Sequence, residues 1–115
     1  MAYNEKLTNK IRETLAHLPK VKEEKMFRGV TFMVNGKMCI DAGDNEIMCR
    51  IDPAIHQEAI QKKGCRTMEM KGREYIGYVY VKEDVIKSKK EFDYWVGLAL
   101  DFNKRAKASK KKVKF

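Results

Sequence analysis

Three cysteines and a histidine, Cys39, Cys49, Cys65 and His56, are of the types that ligate zinc. Their spacing contains no C-x-x-C pair and matches no zinc knuckle. Cys39 and Cys49 also fall in β-rich stretches where small apolar residues are wanted, so they read as buried thiols. An odd cysteine count in a chain large enough not to need staples predicts free thiols. A Cys-His nucleophile pair is not supported either. His17 and His56 lie on predicted helices, with nothing to turn either ring toward a thiol. The paired carboxylates Glu23-Glu24 and Glu83-Asp84 do not suggest acid-base work, because neighbours in a strand point to opposite faces and a loop pair is solvated. Neither a P-loop nor a G-x-G-x-x-G occurs. No catalytic residue, metal ligand or cofactor is expected.

Two other groups of residues point to contact with macromolecules. Met33 and Met48 sit on strands whose alternate positions already supply a core face, which places apolar bulk on the other face of the sheet as well. With Tyr78 and Tyr80 they define a patch that either faces a protein partner or a second copy, or is covered by the last helix or the tail. Gly77-Tyr78-Val79-Tyr80 is superficially like the aromatic strand of an RNA-recognition motif, but Val81 stands where that motif wants a ring and Glu74 where it wants a cation. Packing is the expected role of these tyrosines. The second group is cationic: Lys104, Arg105, Lys107, Lys110, Lys111, Lys112 and Lys114, with no acid among residues 104–115. Clustered cations attract polyanions by releasing counterions, without sequence specificity, and such a run also serves solubility alone.

The elements that must position these residues follow from periodicity. Leu7, Ile11, Leu15 and Leu18 line one face of a helix starting near Asn4, an N-cap, and ending at Pro19. Residues 21–51 then turn β-rich. Asn35-Gly36 between Thr31-Phe32-Met33-Val34 and Lys37-Met38-Cys39-Ile40 predicts a type I′ hairpin, and Ile47–Ile51 a further strand. Asp52-Pro53 opens a helix expected to run to about Lys63, with Gly64 stopping it. Residues 67–70 and 74–81 form a second hairpin around Lys71-Gly72. Ser88-Lys89-Lys90-Glu91 is a capping box, and Phe92, Trp95, Val96, Ala99 and Phe102 mark the buried stripe of a last helix. The expected order is α-β-β-β-α-β-β-α: a two-layer α+β fold with an antiparallel sheet of about five strands and helices mainly on one face.

At 115 residues the chain suits one domain, and its 43% hydrophobic and 36% charged content argues against disorder. The net charge of +9 is unevenly placed. Seven of the 25 cations lie in the tail and all 16 acids in the body, so residues 1–103 carry +2. The division expected is therefore a folded domain over 1–103 and a basic C-terminal tail over 104–115. The N-terminus, with Glu5, Lys6, Lys10, Arg12 and Glu13, lacks the apolar stretch of a secretory signal, and no run approaches membrane-spanning length. A cytoplasmic protein with no membrane contact is expected.

Lys25-Met26-Phe27-Arg28-Gly29, followed by Phe32-Met33-Val34-Asn35-Gly36-Lys37-Met38-Cys39, resembles the signature of the TfoX/Sxy N-terminal domain. The likeness begins at an opening helix of the type Tyr3-Asn4-Glu5-Lys6-Leu7. It continues through Arg50, the Pro53 helix, Met68, Gly77-Tyr78-Val79-Tyr80-Val81 and the Trp95 helix, covering about residues 3–102. Arg28 stands where the family usually has a second glycine. Full-length TfoX/Sxy regulators of bacterial competence carry a second, C-terminal domain, whereas here a lysine-rich tail follows the first. The resemblance implies a fold similar to that of secretion chaperones and a non-enzymatic role near transcription regulation, through a protein partner in the transcription machinery or a homodimer. The tail would add weak, non-specific DNA or RNA affinity. The rival readings are a direct nucleic-acid binder, whose affinity would survive in the nearly neutral body, and a small enzyme or ligand-binding domain with a concave polar pocket.

Overall fold

A computed structural model describes residues 5–26 and 29–106. The N-cap expected at Asn4, the departure at Arg28 and the tail lysines Lys107, Lys110, Lys111, Lys112 and Lys114 lie outside the described residues. The described residues open with helix α1 (Glu5–Leu15), which buries Leu7, Thr8, Ile11 and Leu15 on one face. Strands β1 (Val21–Met26), β2 (Gly29–Val34), β3 (Lys37–Ala42) and β4 (Glu46–Arg50) follow. Next come a 3-10 turn (Pro53–Ile55), α2 (His56–Ala59), β5 (Cys65–Met70), β6 (Arg73–Lys82), α3 (Glu83–Ile86) and α4 (Lys89–Asn103).

The sheet has six strands in the order β1-β2-β3-β4-β6-β5, every neighbouring pair antiparallel. The antiparallel α+β architecture expected from the sequence is present, with one strand more than expected. The addition is β1, which among the described residues pairs only with β2 and forms a sheet edge. Its Val-Lys-Glu-Glu-Lys-Met sequence carries charge on both faces, so no alternation announces it. Such charge also discourages another chain from pairing with the exposed edge. Arg12 of α1 clamps this edge, its Nε and Nη2 donating to the two Glu23 oxygens at 2.5 and 2.7 Å.

Asn35 and Gly36 have φ of 55° and 75°, and Lys71 and Gly72 have 54° and 77°, so both tight hairpins use left-handed central residues. The expected helix over Pro53–Lys63 is far shorter. Asp52 caps its start, accepting the Ala54 N–H at 2.9 Å, but the α-helical part ends at Ala59. The chain turns there because Cys65 must enter β5, and its N–H donates to the Lys62 carbonyl at 3.2 Å. Glu83-Asp84, expected in a loop, instead opens α3.

All helices lie against one face of the sheet. A single apolar cluster joins Leu7, Ile11 and Leu15 of α1, Ala59 of α2, Ile86 of α3 and Phe92, Trp95, Val96 and Ala99 of α4 to sheet residues. The latter include Val30, Phe32, Val34, Ile40, Ala42, Ile47, Cys49, Val79 and Val81. α4 packs across β3 and β4, with Ser88 Oγ accepting the Glu91 N–H at its start. At its other end Asn103, rather than the expected Phe102, is buried. The Asn103 side-chain amide donates to the Val34 carbonyl at 3.2 Å, pinning the helix end to the β2–β3 turn. Burying a residue such as Trp95, fully enclosed here, is worth about 3–5 kcal/mol against truncation to alanine.

Candidate interaction surface

The face of the sheet turned away from the helices carries one residue from each strand in a single cross-strand row: Glu24, Thr31, Asp41, Met48, Tyr80 and Arg66. Thr31, Asp41, Met48 and Tyr80 are each flanked in the chain by helix-side core residues, so pleating sends them, with their cross-strand partners Glu24 and Arg66, to the opposite face. Met33 lies on the same face beside Lys22 and Met38, and Tyr78 beside Arg50. All four expected contact residues therefore share one face. Only Met48 and Tyr80 are direct cross-strand neighbours.

Of the two readings of this patch, exposed or covered, two of the four residues take the second, under neighbours on the sheet rather than under the last helix. Met48 and Tyr80 are only 4% and 6% accessible, while Met33 and Tyr78 are half-buried. Part of the reason is Arg66, whose guanidinium lies 4.5 Å from the centre of the Tyr80 ring while Nη2 donates to both Glu46 oxygens at 2.9 and 3.0 Å. One planar cation thus roofs a ring and neutralises an adjacent carboxylate. Arg50 lies against two rings further along. Its guanidinium carbon is 5.7 Å from the Tyr78 ring centre and 5.8 Å from that of Phe102. Neither arginine was legible as part of this surface, because an Arg-aromatic pairing depends on cross-strand register. The face is a semi-polar lid of rings and guanidinium planes.

Lys104 caps the C-terminus of α4 and is exposed. Arg105 is bound to the body: its guanidinium holds Asp52 at 2.9 Å and Asp101 at 3.2 Å. The Ala54 N–H and Arg105 together hold the Asp52 carboxyl below its usual range.

The thiols are shielded. Burial pushes Cys39 up to about 12 and Cys65 up to about 11, against the opposing pull of Arg50 and Lys62 respectively. Burial, reinforced by its two neighbouring thiols, drives Cys49 well above the ordinary value. Cys39 is the extra residue of a bulge, since Phe32 pairs with Ile40 and Met33 with Met38. His56 is fully enclosed, with both ring nitrogens in hydrogen bonds: Nδ1 accepts the Gly77 N–H and Nε2 meets Thr67 Oγ1, each at 2.9 Å. Among the described residues no three His, Cys, Asp or Glu side chains are placed to hold a metal ion. An open depression of about 410 Å³ is lined by Lys62, Lys63, Asp84, Val85 and Glu91. Apart from Val85 these are charges of both signs rather than convergent buried polar groups. Among the described residues no helix is long and apolar enough to cross a membrane.

Six antiparallel strands with helices on one side and a ring-and-guanidinium surface on the other make a small two-layer α+β domain of the described residues. Compared against protein families, residues 13–103 match the TfoX N-terminal domain, and the chain belongs to that family. Domains of this family are non-catalytic regulatory and protein-interaction modules, associated with transcription regulation and competence. Neither curated proteins nor solved structures gave a significant match.

Proposed function

We propose that this chain regulates transcription in a bacterial cytoplasm by binding a protein of the transcription machinery through the sheet face opposite its helices. In this reading residues 1–103 act as the domain and the tail over 104–115 adds weak, non-specific DNA or RNA affinity. The observation that carries it is the family match over 13–103, which spans every element of the sheet. The face supports it physically. Met33 and Tyr78 are half-buried, and Met48 and Tyr80 lie just beneath Arg66 and Glu46. A partner that displaces or extends that thin cover gains apolar area beside fixed charges, the usual composition of an interface core and rim.

The test is co-purification from the native host of the tagged chain, of Met33→Glu and of a chain with its tail lysines changed to glutamine. Recovery of the same transcription protein with the parent and the tail variant, but not with Met33→Glu, is expected. Equal recovery with Met33→Glu removes the sheet face from the interface. Sedimentation of the purified chain separates a homodimer through this face from a hetero-complex.

A further inference from the structure

At the end of the sheet where β2 turns into β3, six side chains form a continuous string of three cations and three rings: Arg73, Tyr75, Tyr78, Arg50, Phe102 and Arg105. The Arg73 guanidinium carbon is 5.7 Å from the Tyr75 ring centre, and Tyr75 meets Tyr78 edge-on at 6.4 Å. Arg50 bridges Tyr78 and Phe102 at 5.7 and 5.8 Å, and Arg105 lies 5.6 Å from Phe102. Further cations gather at the same end. Lys37 follows the β2–β3 turn, the Lys20 carbonyl accepts the Asn35 N–H at 2.9 Å, and Lys104 sits beside the Asn103 that is bonded to Val34. The opposing acids at the α4 end of the string, Asp52 and Asp101, are both engaged by Arg105, and Glu74 adjoins Tyr75. From Ala106 the chain continues into the five lysines of residues 107–115.

We infer that this end of the domain, and not the tail alone, is a binding surface for single-stranded nucleic acid. The inference rests on the reading of the tail as a polyanion contact and gives that contact a seat on the folded body. Phosphates suit the cations. Unpaired bases suit the half-buried rings and guanidinium planes, because every base presents a π-face whatever its identity. A duplex keeps its bases stacked and offers the rings nothing, and an acidic peptide satisfies the cations but leaves the rings unused. Charge and aromatic spacing together therefore favour a splayed single strand.

The test is fluorescence anisotropy of the full chain with a labelled oligothymidylate, its duplex form, and oligoglutamate as competitor, across a salt series. Tyr75→Ala and Tyr78→Ala are each expected to weaken oligothymidylate binding about 5- to 150-fold with little change in salt slope. Arg73→Gln, at an exposed position, keeps the fold intact and is expected to lower the slope by about 0.7. Changing Lys107, Lys110, Lys111, Lys112 and Lys114 to glutamine is expected to lower it by about 3 to 4 while leaving measurable binding at low salt. Unchanged affinity in folded tyrosine variants, with binding abolished in the tail variant, overturns the inference and leaves the tail reading standing. Binding unaffected by the tail variant sinks the tail reading instead. Duplex bound as tightly as single strand, or oligoglutamate displacing the oligomer equally well, also overturns it.

Discussion

His56 accepts the backbone N–H of Gly77 through Nδ1 at 2.9 Å, which locks the start of α2 to an irregular stretch of β6. Gly77 has φ of 96°, and its carbonyl accepts the Ile51 N–H at 2.8 Å. The cross-strand register explains why a lock is needed. Thr67 pairs with Val79 but Met68 with Tyr75, so residues 76–78 bulge out of the β5 ladder. Ordinary ladder bonds are lost there, and a buried N–H without a partner costs roughly 1–3 kcal/mol. The imidazole supplies the missing acceptor, and its other nitrogen then donates to Thr67 Oγ1, which fixes a neutral ring.

That geometry makes stability pH-dependent. Burial lowers the His56 pKa from the ordinary 6.5, and the Glu74 carboxylate opposes the shift without reversing it. Above 6.5 the ring is neutral in both folded and unfolded chains and makes no difference. As pH falls through 6.5 the unfolded chain takes up a proton that the folded chain refuses, so stability drops by at most about 1.4 kcal/mol per pH unit until the lowered folded value is reached. Thermal melts at pH 7.5 and 5.5 are expected to differ by several degrees, and His56→Asn, which keeps an acceptor but cannot titrate, is expected to flatten that difference. A parent protein equally stable at both pH values contradicts the account.

How much of this the sequence disclosed depended on whether the signal was local. The Asn35-Gly36 turn, the Ser88 cap and the Leu7, Ile11 and Leu15 stripe each encode their element within a few residues, and each is present. β1 was illegible because an edge strand clamped by Arg12 and backbone pairing needs no apolar alternation. The end of α2 was set by where β5 must begin, a tertiary demand that overrode the reading of Gly64 as the stop. Of the surface, the shared face of Met33, Met48, Tyr78 and Tyr80 followed from pleating alone. The arginines roofing Tyr78 and Tyr80 required a register that only pairing reveals.

Lys71 offers a stabilising substitution. It is exposed and holds φ of 54° in the β5–β6 turn, a conformation that asparagine tolerates better than lysine. Lys71→Asn is expected to gain about 0.5–1 kcal/mol in urea unfolding, with an unchanged denaturant slope. A loss of stability would mean that the lysine ammonium makes a contact outweighing the backbone preference.

The cysteines furnish a chemical test of the core. Thiolate is the reactive form, and burial raises Cys39 from 9.0 to about 12, which lowers its thiolate fraction near neutral pH about a thousandfold. Cys49, fully enclosed, is driven further in the same direction, and Cys65, half-buried at the start of β5, is raised to about 11. Titration with an aromatic disulfide at pH 8 is therefore expected to show slow modification confined to Cys65 in the folded protein and rapid reaction of all three thiols in denaturant. The same shifts act on stability in the opposite sense to His56. Above pH 9 the unfolded chain releases thiol protons that the folded chain retains, so stability falls as pH rises from about 9. Rapid modification of Cys39 in the native state would show that the β3 bulge opens readily, and that the packing of α4 over β3 and β4 is looser than its enclosed side chains imply.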